Sequence, residues 1–155
     1  MTTDGGGWLL VSNVVVGNLS SLRYSYESSH HEISNCHYKS LLLTTDAMKE
    51  LRTHLSFTQL RFHCSKNKGR TLHLTTASNS SGEAVVQYFS GQTDANPKAC
   101  GSCVRMNDEN SMLAADCNQW HNKEWGYSYK GKKQISCRCF TRKILLVFDG
   151  ELVGM

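Results

Sequence analysis

Seven cysteines, Cys36, Cys64, Cys100, Cys103, Cys117, Cys137 and Cys139, carry the most versatile chemistry of this chain. Thiols pair into disulfides in an oxidising compartment or hold a soft metal ion in a reducing one. All seven stand as disulfide candidates, and the odd number leaves one of them free, shared with another chain, or without its partner in this sequence. Spacing does not fix the pairing. The metal alternative draws on Cys100-Gly101-Ser102-Cys103 together with Cys117, His121, Cys137 and Cys139, because thiolates and imidazole suit tetrahedral zinc. A zinc ribbon repeats the Cys-x-x-Cys knuckle, whereas the second pair here is Cys137-Arg138-Cys139. Disulfides are therefore the expected state, and an intracellular zinc-binding protein is an alternative.

Catalytic patterns fail one by one. His30-His31-Glu32 begins like a zinc-protease helix, but Asn35 stands where the second histidine is needed. Gly5 and Gly7 lack the third glycine of a dinucleotide loop, Leu10 taking its place, and they open a strand rather than a helix. Neither a Gly-x-Ser-x-Gly elbow nor a phosphate loop occurs. The expectation is no enzyme, no catalytic residue, no cofactor-binding residue and no metal ligand. Asp108, Glu109 and Asp116 offer hard oxygens to calcium, but without Asp-x-Asp spacing they read as surface carboxylates. Trp120 and Trp125 are the candidates for stacking on a sugar ring, with packing as the commoner use of an indole, and Trp8 is expected in the core. Asn18-Leu19-Ser20 and Asn79-Ser80-Ser81 satisfy the N-glycosylation pattern, the second in a polar turn where an acceptor would be exposed.

A chain of 155 residues with 39% hydrophobic residues can bury one core. The longest apolar run, Ile144 to Phe148, has the length of a strand and falls far short of the roughly 18–20 residues of a membrane helix, so no membrane span is expected. Net charge is +4, and the stretch from His121 to Lys143 holds Lys123, Lys130, Lys132, Lys133, Arg138, Arg142 and Lys143 against Glu124 alone. This basic run reads as a solvated face; aromatic residues are not interleaved with it as in nucleic-acid modules, and no nucleic acid is expected as partner.

The elements that must position these residues follow from periodicity. Asp4-Gly5-Gly6-Gly7 is turn chemistry leading into a strand from Trp8. Thr44, Thr45 and Asp46 can cap a helix whose apolar positions Ala47, Met48, Leu51 and Leu55 predict its extent from around Asp46 to His54. Leu60, Phe62 and Cys64 alternate with Arg61 and His63, and Leu72 and Leu74 alternate with Thr71, His73 and Thr75 across the turn Lys66-Asn67-Lys68-Gly69, which predicts a hairpin. A third strand is expected at Ala84 to Phe89, a helical turn at Met112 to Ala115 and a last strand at Ile144 to Phe148. The fold class is α+β, a mostly antiparallel sheet with one or two short helices and long loops.

Asp4-Gly5-Gly6-Gly7-Trp8, followed by Leu9-Leu10-Val11, resembles the entry segment of fibrinogen C-terminal-like domains. Thr44 to Trp120, including Leu51 to Cys64 and Ser81 to Gly91, is similar to the fibrinogen-like proteins of stony corals and sea anemones, several of which resemble skeletal organic matrix proteins. The resemblance implies a partial fibrinogen-like domain over residues 1–126 and a divergent C-terminal tail over 127–155, truncated at both ends. On this reading Met1 is an internal methionine and a signal peptide has been lost with the upstream segment. The implied function is a non-enzymatic, extracellular recognition or matrix module, secreted and glycosylated, whose partner is a glycan or matrix protein. A calcium-dependent carbohydrate-binding lectin is the first alternative. No cofactor is expected, calcium belonging to the complete family domain, and the oligomeric state stays open.

Overall fold

In the computed structural model the described residues are 2–3, 6–15, 25–29, 31, 33, 40–65, 69–125, 129–130, 133–134 and 141–147. Their strands are β1 (Thr2–Thr3), β2 (Gly6–Val15), β3 (Ser25–Glu27), β4 (Ser40–Leu43), β5 (Gln59–Ser65), β6 (Thr71–Thr76), β7 (Cys103–Arg105), β8 (Tyr129–Lys130), β9 (Lys133–Gln134) and β10 (Thr141–Val147). The helices are α1 (Thr45–Leu55), α2 (Ser80–Phe89) and the single turn α3 (Met112–Ala115). The fold is α+β: one sheet in the order β3-β4-β2-β10-β5-β6-β7, with β1 beside β2, and a separate β8-β9 ribbon. Every pairing is antiparallel except β3 with β4.

Thr44 starts α1 because its hydroxyl oxygen accepts the Ala47 amide at 3.3 Å. Ala47, Met48 and Leu51 form the buried stripe, and Ser56 closes the helix in the left-handed region (φ 48°), its amide on the Arg52 carbonyl at 2.9 Å. The expected hairpin is present as β5 and β6, with Arg61 opposite Thr75, Phe62 opposite Leu74 and His63 opposite His73.

The third strand expected at Ala84 to Phe89 is instead α2. Asn79 caps it, Oδ1 accepting the Gly82 amide at 2.9 Å, and Gly82, Val85 and Val86 are buried with Phe89 partly buried, a helical spacing rather than an alternating one. Gly82 is required here: a Cβ would stand 1.9 Å from the Ala77 carbonyl oxygen. Arg52 of α1 donates to Glu83 of α2 at 2.7 Å, and Gln87 donates to the same carboxylate oxygen at 2.9 Å.

Residues 141–147, set apart by sequence as part of a divergent tail, supply an interior strand. β10 pairs along its whole length with β5, Thr141 facing Ser65 and Val147 facing Gln59, and with β2 from Val15 to Trp8 on the other side. A bulge in β2 leaves Val11 between Leu10, which faces Leu145, and Ser12, which faces Ile144.

Alternation along β5 and β6 sends Leu60, Phe62, Cys64, Leu72 and Leu74 to one face, where they are buried against Val85 and Val86 of α2 and against the loops that carry Ala99, Trp120 and Trp125. The aromatic centre is Phe62, 4.5 Å from Trp125 and 5.1 Å from Phe89, with Trp120 5.0 Å from Trp125. Trp125 Nε1 donates to Ser102 Oγ at 2.9 Å, so the buried indole is satisfied. A disulfide joins Cys100 to Cys117 across a sequence separation of 17, cross-linking this loop layer, and on an entropic account a loop of that size contributes about 3 kcal/mol.

Candidate functional site

The opposite face of the same hairpin carries Arg61, His63 and His73, because residues of equal parity in β5 and β6 point the same way. The loop after β7 is drawn over them by backbone bonds. Met106 N donates to His73 O at 3.0 Å, Asn110 N to Thr71 O at 3.1 Å, and Thr71 N to Asn110 Oδ1 at 2.6 Å. Asp108 thereby reaches the two imidazoles, and Glu109 turns inward, its carboxylate accepting the amides of His73 and Ser111. Ligating atoms of His63, His73 and Asp108 all lie within 4.8 Å of one another. The two rings meet edge to face at 4.7 Å.

Hydrogen-bond direction fixes the His73 tautomer. Arg61 Nε can only donate, and it donates to His73 Nε2 at 2.7 Å, so the ring hydrogen sits on Nδ1 and is given to Asp108 Oδ1. His63 Nε2 stands 3.8 Å from the other oxygen of that carboxylate. A chain of polar groups thus runs from a buried guanidinium through an imidazole to a carboxylate whose side chain is 57% exposed. Arg61 also lies over the indole of Trp8, 5.3 Å from the ring centroid. Burial alone would raise the Asp108 carboxyl, but the hydrogen bond that His73 donates, the electrostatic attraction of that ring and of His63, and its own backbone amide outweigh that and hold it below the ordinary carboxylate value. Nearby, burial and the Glu109 charge raise the Cys103 thiol, only partly offset by a hydrogen bond from Ser102.

A second feature is a polar cleft of about 330 Å³ between the start of β5 and the start of α2, lined by Thr58, Gln59, Ala77, Ser78, Asn79 and Glu83. Gln59 Nε2 donates across it to Thr76 O at 2.8 Å and to Ser78 Oγ at 3.2 Å.

The residues singled out by sequence are dispersed. Asp4 and Gly5 lie outside the described residues. Gly6 and Gly7 lie in the opening of β2 itself rather than in a turn before it, and a Cβ at Gly7 would meet nothing within 4 Å among the described residues. Trp8 is half-buried under Arg61 rather than in the core. Trp120 and Trp125 are core residues, 5% and 6% exposed, and cannot stack on a sugar from outside. Asn79 is exposed as expected, but its side chain is engaged at both ends, with Nδ2 donating to Gly101 O at 3.1 Å. Asn18 lies outside the described residues, as do Cys36, Cys137, Cys139, His30, Glu32 and Asn35. Cys100 and Cys117 are bonded to each other, Cys64 is disulfide-bonded as well, and Cys103 is a free thiol. Among the three carboxylates read as surface groups, Glu109 is instead buried, and Asp116 accepts the Asn118 amide at 2.9 Å as a turn cap.

Sequence reasoning missed the cluster of Arg61, His63, His73, Asp108 and Glu109 as a unit. The signal available was the hairpin register, which alone places His63 opposite His73. No helix among the described residues is long and apolar enough to cross a membrane. No family model, curated protein or solved structure matches this chain, so the likeness to fibrinogen-like domains rests on the sequence motifs themselves.

Proposed function

We propose that the chain is a non-catalytic extracellular recognition or matrix module of the fibrinogen-like type, binding a glycan or a matrix protein. The observation that carries this reading is the Cys100–Cys117 disulfide in the loop layer, a cross-link that belongs to oxidising compartments. The same bond takes up two thiols on which an intracellular zinc site would draw. The cleft beside Asn79 suits a polar ligand, since it presents hydroxyl, amide and carboxylate groups together.

The test is to direct the full chain through a eukaryotic secretory pathway, alkylate it without reduction and map the peptides. Cys100 and Cys117 are expected in one cross-linked pair, with binding to a glycan array or to a panel of matrix proteins. Alkylation of both cysteines in the unreduced secreted protein overturns the extracellular reading. Failure to retain any glycan or matrix protein overturns the recognition role.

A further inference from the structure

We propose that His63, His73 and Asp108 form a binding site for a divalent transition-metal ion of the zinc class, and that Arg61 is the group that must withdraw for the ion to enter. This inference is independent of where the protein resides.

The ligand set comes first. Two imidazoles and one carboxylate are donors that suit zinc, copper(II) and nickel(II) over calcium and magnesium, which prefer oxygen alone. The three ligating atoms already lie within 4.8 Å of one another, and ligands around a tetrahedral zinc ion stand about 3.4 Å apart. Convergence therefore needs side-chain adjustment and no movement of the backbone. That backbone is held: His63 and His73 are register partners on adjacent strands, and the Asp108 loop is tied to β6 through Met106, Glu109 and Asn110. One side is open. The side chains of His63 and Asp108 are 27% and 57% exposed, so a hydrated ion can approach and keep a water as its remaining ligand.

Proton balance then assigns Arg61 its part. His73 now carries its hydrogen on Nδ1, the nitrogen nearest Asp108, and receives the Arg61 N–H at Nε2. An ion that takes the Nδ1 lone pair displaces that proton, which returns to the ring at Nε2. There the new N–H would face the Arg61 N–H, two donors with no acceptor between them. Arg61 has to swing away, which also moves a positive charge off the incoming cation. Its guanidinium lies over Trp8, so the withdrawal is reported by that indole.

The experiment uses the full chain without a histidine tag, stripped with chelator and titrated with zinc chloride by calorimetry, in parallel with calcium chloride. Expected are saturable binding of one zinc per chain, little response to calcium, and a change in tryptophan emission on zinc addition that is absent in Trp8→Phe. His63→Ala and Asp108→Ala each weaken binding by at least about tenfold, the scale that even outer-shell changes around a metal produce. Arg61→Gln, which takes the cation away, binds zinc several-fold more tightly. These three variants are first checked by circular dichroism; because Arg61 is buried and its replacement can disturb the fold, the two variants on the open side carry the decision by themselves. Absence of saturable zinc binding, or undiminished binding in both His63→Ala and Asp108→Ala, overturns the site. Folded Arg61→Gln protein that binds no tighter than wild type overturns the role of Arg61.

Discussion

A carboxylate on an open loop ordinarily titrates much as it does in water. Asp108 departs from this because His73 donates to it and His63 stands beside it, holding it below its usual value of 3.8. The sign follows from linkage: a depressed folded value means that ionised Asp108 stabilises the fold at neutral pH, and the contribution is lost as pH falls below 3.8 towards the folded value. Its exposure keeps the effect small. Asp108→Asn is expected to unfold at a lower urea midpoint than wild type near neutrality, with the gap narrowing as the pH is taken below 3.8, as measured by denaturation at several pH values. Cys103 obeys the opposite logic, since burial and the Glu109 charge disfavour its thiolate. Native protein treated with iodoacetamide at about pH 8 should modify Cys103 at least about tenfold more slowly than urea-unfolded protein, read by mass spectrometry. Equal rates would place that thiol in solvent.

At the level of single elements, legibility in the sequence tracked how many local signals agreed. For α1 a capping hydroxyl, a helical stripe and basic residues in the last turn all coincide, and the expected and observed bounds differ by one residue at each end. For α2 the signals conflict. Val85, Val86, Tyr88 and Phe89 favour a strand by residue type, and only the spacing of Gly82, Val85, Val86 and Phe89, with Asn79 as cap, gives the helix. The hairpin was legible as a pair of strands, whereas the meeting of His63, His73 and Asp108 was not: it needs the register plus a loop brought back from beyond α2 by tertiary bonds. The helix choice depends on close approach at Gly82, where the obstacle is backbone and no rotamer relieves it. Gly82→Ala should therefore destabilise the protein by about 1–3 kcal/mol despite the better helix propensity of alanine, measured by urea unfolding. A neutral or stabilising outcome would mean that the Ala77–Gly82 contact is looser in solution.

Across the molecule, the sheet depends on β10. Its neighbours β2 and β5 belong to different layers of contact, the first with β4 and the second with the hairpin that holds the His–Asp cluster. Ending the chain after residue 140 should leave both with unpaired inner edges, abolish the cooperative thermal transition and increase binding of a hydrophobic dye. A transition like that of the intact chain would show that the two halves stand without the strand between them. The resemblance that covers residues 1–126 is silent about this dependence, because the residues that close the sheet come after it.

The same arrangement bears on how the protein is made. A ribosome delivers β2 early and β10 late, so the seam between them stays unzipped while most of the chain emerges, and β1 to β4 on one side and β5 to β7 on the other can pair before it closes. Nascent chains are thus exposed to wrong partners along two bare strand edges, which makes prompt arrival of β10, or a chaperone holding the opening, a condition of a good yield.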